Sequence, residues 1–185
     1  MRGDICTLCC GTEREETVSC PLDCSYLQQA HEIEREKAPG LAAGQISNPD
    51  IKLSDNFLEE NEKLLGFLGS SVREAALETE GAIDNDVREA LNALIATYRT
   101  LQSGIYYESR PQNPLAANVC DGVREDLKEF EREHKIRDAS ILGVIVFLQR
   151  IELNLNNGRK KGRAFIDFLH GFVALEEPEE SPLIV

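Results

Sequence analysis

The chain has 185 residues, 42% hydrophobic and 29% charged, which allows one ordinary domain and a small appendage. With 33 acidic against 20 basic residues the net charge is −13, so an acidic surface would repel phosphate backbones and no nucleic-acid partner is expected. The longest nearly apolar run, ILGVIVFL (141–148), is too short to span a bilayer, and no apolar leader follows Met1, so we expect a protein without membrane contact in a reducing cytoplasm.

Five of the six cysteines fall in the opening stretch MRGDICTLCCGTEREETVSCPLDCSYL, at Cys6, Cys9, Cys10, Cys20 and Cys24. Disulfides are scarce in reducing compartments, where clustered thiols more often bind metal. The pattern is C-x2-C-C, nine residues, then C-x3-C, two short-spaced groups that a loop can bring together as thiolate ligands. Gly11 lets the chain turn after the first group. Pro21 suits a first helical position, which places Cys24 in the opening turn of a helix, where the positive helix end favours a thiolate. The expected ligands are Cys6, Cys20, Cys24 and one of Cys9 or Cys10, with Cys9 favoured because C-x2-C is the commoner knuckle. Zinc is the expected metal and an iron–sulfur cluster the alternative. Four cysteines close a coordination shell, so the site reads as structural, and the metal would supply folding energy to a segment poor in apolar residues.

The string CTLCCGT-x-R…CPLDCSYL resembles the start of a group of uncharacterised bacterial proteins that pair a CxxCCGTxR…CPxxCxYL segment with a helical remainder. The similarity covers roughly the first 27 residues closely and LxxTYRTLxSGIYYE (94–108) more loosely. It implies a metal-binding cluster at Cys6, Cys9, Cys10, Cys20 and Cys24 and brings no activity with it. Arg14 stands where the group has a basic residue, in a position to balance thiolate charge.

Residues 25–37, SYLQQAHEIEREK, read as one charged helix. His31 on it could replace a cysteine as ligand, but a solvated side chain is expected. APGLAAGQISNPDIKL (38–53) is rich in Gly and Pro without a period and reads as a linker.

Helical periodicity begins at Ser54, an N-cap, with Phe57, Leu64, Leu68 and Val72 on one face and Gly66 and Gly69 as candidate kinks. Asp84 or Asp86 caps the next helix, whose stripe Val87, Leu91, Leu94, Tyr98, Leu101 and Ile105 is closed off by Pro111 and Pro114. LAANVCDGVREDLKEFEREHK follows, with Cys120, Val123, Leu127, Phe130 and His134 at helical spacing; Cys120 reads as a core residue. DASILGVIVFLQRIELNL suits a central helix, although VIVFL alone would also suit a buried strand. GRAFIDFLHGFVAL (162–175) is the last, with Phe165, Phe168, Leu169 and Phe172 on one side. Before it, GRKKGR (158–163) suits a phosphate or partner contact, or a solvated loop at a helix end, the reading we favour.

These patterns predict an all-α protein, an antiparallel helical bundle of about five helices with a small N-terminal cysteine-ligated metal module. The expected division is a cysteine-rich module over 1–37, a linker over 38–53, the bundle over 54–175 and an acidic tail over 176–185. The PLIV tip of the tail could dock on a partner.

Catalytic motifs are missing. A di-metal carboxylate site could draw on Glu131-x-x-His134, Asp167-x-x-His170, Glu59 or Glu89, but a charged stretch surrounds the first pair and the second shares a polar face expected to meet solvent. Tyr106, Tyr107 and Glu108 could line a pocket or cap the bundle. The expected function is therefore a non-enzymatic zinc-binding protein acting through a protein partner or self-association. An iron–sulfur or thiol redox protein is the alternative.

Overall fold

Segments with a period of 3.6 become helices throughout residues 6–38 and 46–174, which this computed structural model describes, the side chains of 172–174 excepted. The helices are α1 (Thr7–Glu13), α2 (Ser25–Lys37), α3 (Asp55–Glu60), α4 (Glu62–Glu78), α5 (Asp84–Gln102), α6 (Pro114–Glu133), α7 (Asp138–Leu155) and α8 (Ala164–Ala174). Among the described residues there is no β-strand, only an isolated bridge between Arg14 and Val18, so the all-α class stands. No helix of the described residues is long and apolar enough to cross a membrane. The acidic tail with its PLIV tip lies outside the described residues, as does part of the expected linker.

The expected helix boundaries change in three places. The helix capped by Ser54, whose Oγ accepts from the Phe57 amide at 3.2 Å, breaks at Asn61 rather than at a glycine. Asn61 leaves helical geometry, and its Nδ2 donates to the Phe57 carbonyl at 2.8 Å beside its own amide, while Gly66 and Gly69 remain inside α4. α5 stops at Gln102, well before the prolines. Gly104 at φ 76° takes the left-handed conformation that ends it, Ile105 is exposed, and Pro114 begins α6 instead. Within the cysteine segment, α1 occupies the place expected for a tight turn, and Pro21 lies in a turn before α2 rather than inside it.

α7 is apolar on nearly all sides because it is central, and VIVFL is helical there rather than a strand. Ile141, Leu142, Val144, Ile145, Val146 and Leu148 are all buried, and α7 packs against α4, α5 and α8. Gly143 makes room for α3, since a methyl group at this position would overlap the Phe57 ring. The α5 stripe meets this core from Val87 to Tyr98, and Cys120 is buried with Val123 and Leu127 on α6, as the spacing implies.

Residues 46–53 are fastened to the helices. Arg150 on α7 donates to the carbonyls of Ser47, Asn48 and Ile51 at 3.0, 2.8 and 2.8 Å, and Arg99 on α5 binds Asp50 and Asn48. Asn48 sits at φ 52° and donates to Gln149 at 2.8 Å.

Asp84 does not cap its own helix. Its carboxylate accepts from the Phe165 and Ile166 amides at 3.0 and 3.1 Å, satisfying the first turn of α8, while Asp86 accepts from the Ile83 amide at 3.0 Å to close α5. The Asp84 amide in turn donates to the Gly162 carbonyl at 2.9 Å. The starts of α5 and α8 are thereby tied together, and the 156–163 turn is held between them.

Candidate functional site

All six cysteines are free thiols. Cys6 is the exposed N-cap of α1, and its Sγ accepts from the Cys9 amide at 3.3 Å. Hydrogen bonds from Cys9, side chain first and backbone second, lower the pKa of the Cys6 thiol, while its contact with Cys6 raises that of Cys9. Cys9 is exposed and Cys10 half-buried. Cys24 is the N-cap of α2, one position before the helix, and makes no side-chain cap bond. Burial pushes the Cys20 thiol up. A Glu15 backbone hydrogen bond opposes this, while Cys24 and Cys10 lie close enough for their charges to raise it further. Among the described residues no three His, Cys, Asp or Glu side chains are arranged to hold a metal ion. Thiolates are the donors a structural zinc site uses, and Cys6 and Cys24 stand at the N-caps of α1 and α2.

Arg14 does not face the thiols. Its Nη2 meets Glu34 at 3.3 Å, and its carbonyl accepts from Arg159 at 2.8 Å. The next residue, Glu15, is the centre of the arrangement. It lies at φ 57°, an uncommon conformation for a residue with a side chain, and is only 1% exposed. Its Oε2 accepts from His31 Nε2 at 3.0 Å and Asn157 Nδ2 at 2.8 Å, and its Oε1 accepts from the Arg163 amide at 2.7 Å. Its carbonyl accepts from the Lys161 amide at 2.7 Å.

His31 is therefore not solvated, as its charged neighbours in sequence suggested, but 1% exposed. Its Nδ1 meets Asp167 Oδ2 at 2.9 Å and its Nε2 meets Glu15. With an acceptor-only carboxylate at each nitrogen the ring must carry both protons. Burial lowers its pKa, but the hydrogen bonds and charges of Asp167 and Glu15 prevail and raise it to about 9. Glu15 is held below the ordinary carboxylate value; burial opposes this, and His31 outweighs it. Asp167, expected to face solvent beside His170, is buried, whereas His170 is exposed.

The GRKKGR turn is likewise not simply solvated. Arg159 donates to Arg14, Lys161 Nζ donates to the Thr17 carbonyl at 2.8 Å, and Asn157 bridges Glu15 and Glu34. The turn clasps residues 14–17, and through them the cysteine segment, against the starts of α5 and α8. Beneath it, Arg88 forms a two-pronged pair with the fully buried Glu152 at 2.7 and 2.8 Å.

The carboxylates considered for a di-metal site do not converge. Glu131 accepts from Tyr98 at 3.1 Å, His134 is exposed and stacks on Phe130, and Glu59 is exposed. Tyr106 and Tyr107 are exposed too, and Tyr106 bonds Glu108.

Sequence reasoning missed Glu15 and Asn157, which carry no local signal, and misplaced His31. One signal was available: His31 follows Leu27 by four positions, and Leu27 is fully buried, so the two share the inner face of α2.

Compared with protein-family models, with curated proteins and with solved structures, the chain matches none.

Proposed function

We propose that the N-terminal cysteines hold a structural zinc ion and that the protein acts by protein–protein contact rather than catalysis, within the reducing cytoplasm. The observation that carries the reading is that five free thiols, Cys6, Cys9, Cys10, Cys20 and Cys24, stand on or shortly before α1 and α2, with Cys6 and Cys24 at the two N-caps. Cys6 or Cys9 would complete a four-thiolate shell by closure of the α1 end. Zinc supplies cross-linking here, in place of the apolar core that a short polar segment lacks. The metal module would sit on an antiparallel helical bundle, clasped by Glu15, His31 and the 156–163 turn. The acidic surface suits a basic partner, or the chain pairs with itself.

A second reading, thiol redox chemistry, is favoured by the Cys6–Cys9 pair: an exposed thiol at a helix N-cap, with its pKa lowered by a neighbouring thiol three residues on.

The test is elemental analysis of the anaerobically purified full chain beside a Cys20→Ser/Cys24→Ser variant. One zinc per chain, lost in the variant, is expected. Iron with matching sulfide would replace zinc by an iron–sulfur cluster. Metal-free protein in which Cys6 and Cys9 oxidise reversibly would establish the redox reading instead.

A further inference from the structure

Of the cations in GRKKGR, Arg159 and Lys161 are spent on carbonyls of residues 14 and 17. Lys160 is different. It is exposed and has no hydrogen bond or ion pair among the described residues. It lines a cleft of about 340 Å³ together with Arg88 and Arg159, between the first turns of α5 and the 156–162 turn. Among the described residues no carboxylate lines that cleft, although acidic residues outnumber basic ones 33 to 20 in the chain. A cleft of about 550 Å³ beside α3 and α6, by contrast, mixes Glu59, Glu60, Glu62 and Glu133 with Lys63 and Lys135.

The neighbouring acids are already committed. Glu152 lies buried behind Arg88 and takes its Nε and Nη2, and Glu34 stands 4.0 Å from Arg159 Nη2 while also pairing with Arg14. Among the described residues Lys160 is therefore the cleft cation without a partner, flanked by two guanidinium groups from different elements that are each already paired with a carboxylate. The Glu15 contacts with Arg163 and Lys161, and the Asp84 contacts with Gly162 and α8, hold the turn in place, so the site needs little rearrangement to receive a ligand.

We propose that this cleft binds a phosphate group, as inorganic phosphate or as a phosphomonoester of a small organic molecule. Lys160 supplies the free charge, and Arg88 and Arg159 keep N–H groups beyond those bonded to Glu152 and the Arg14 carbonyl, a donor set from two elements that suits a tetrahedral anion with several acceptor oxygens better than a planar carboxylate with two. The volume holds a phosphate and a small organic body. A net charge of −13 repels anions from the surface at large, so binding here is local and saturable rather than a diffuse response to salt. The site is independent of the zinc reading, since none of its lining residues is a cysteine.

The experiment is an NMR titration of the full chain with inorganic phosphate, with glycerol 1-phosphate and, at matched ionic strength, with sodium chloride. Saturable shifts confined to the amides of residues 83–88 and 156–162 are expected with both phosphates. Tighter binding of the ester would show that the organic body enters the cleft; equal binding would show that free phosphate suffices. Lys160→Glu should weaken binding by about tenfold or more without changing the thermal midpoint, because Lys160 supports no contact of the fold. Lys160→Ala should fall between the two. Shifts that follow chloride equally, or affinity unchanged in Lys160→Glu, would overturn the proposal.

Discussion

His31 and Asp167 are 136 positions apart in the chain and 2.9 Å apart in the fold. Their contact joins α2 to α8, and Arg35 lies over the Phe168 ring one turn further along the same helix. Glu15 takes the other ring nitrogen, so one imidazolium joins the cysteine segment, α2 and the helical core. Two anions around one buried cation would leave a net negative charge inside. The amide of Arg163 and the side chain of Asn157 disperse it by donating to Glu15.

Removal of the ring should loosen that junction. His31→Ala leaves two buried carboxylates facing each other without their cation, a change expected to cost about 3–5 kcal/mol. Denaturant unfolding measures the cost. Hydrogen exchange locates it: the amides of Lys161 and Arg163, which bond Glu15, should lose protection while those inside α5 and α7 keep theirs. A loss below about 1 kcal/mol with unaltered exchange would show that the junction does not depend on the imidazolium.

The same ring sets a pH dependence. A folded-state pKa raised from 6.5 to about 9 stabilises the fold fully below pH 6.5, and the stabilisation is lost as pH rises through 9. Asp84 acts in the same direction. Burial raises its pKa from 3.8 to about 7 against the pull of the Phe165 and Ile166 amides, so stability falls as pH climbs between those values and the cost persists above them. Glu15, with a lowered folded pKa, contributes stability that is lost as pH falls through that value. The urea midpoint should therefore be highest in mildly acidic buffer and decline toward about pH 9.5. His31→Gln should flatten the limb between pH 6.5 and 9. A midpoint that rises across this limb in the unmodified chain would contradict the assignment.

Arg88 and Glu152 form a pair whose anion is fully buried. Arg88→Ala should cost about 3–5 kcal/mol because it strands that anion, whereas Arg88→Met combined with Glu152→Leu should recover most of the loss. Midpoints of the single and double variants check this. Equal losses in both would mean that packing around Arg88, rather than charge, stabilises the site.

The all-α class and most helix positions were legible because burial follows periodicity: Val87, Leu91, Leu94 and Tyr98 are four positions of one stripe, and all are buried. The ends of the helices were less legible. Asn61 leaves helical geometry between α3 and α4, which sequence shows only as one more polar residue, and of Asp84 and Asp86, the two candidate caps of α5, Asp86 takes that role while Asp84 serves α8. The Glu15–His31–Asp167 junction was illegible for a physical reason. Polar side chains carry a solvent signal one at a time, and their burial becomes affordable only when partners remote in sequence satisfy each nitrogen and oxygen.

The proposed zinc site poses the last question, which of the adjacent Cys9 and Cys10 would join Cys20 and Cys24. Spacing favoured Cys9. On the zinc reading we propose Cys10 instead, because it is half-buried, whereas Cys9 is exposed and its amide bonds Cys6. Both residues lie on α1, where adjacent side chains diverge by about 100°, so they do not face Cys20 together. In competition with a chelator, Cys10→Ser should weaken zinc binding by more than about 100-fold, the upper range for outer-shell changes, while Cys9→Ser stays near the parent chain. The reverse order would mean that α1 unwinds when the metal binds, bringing the C-x2-C pair to Cys20 as the bare spacing implies.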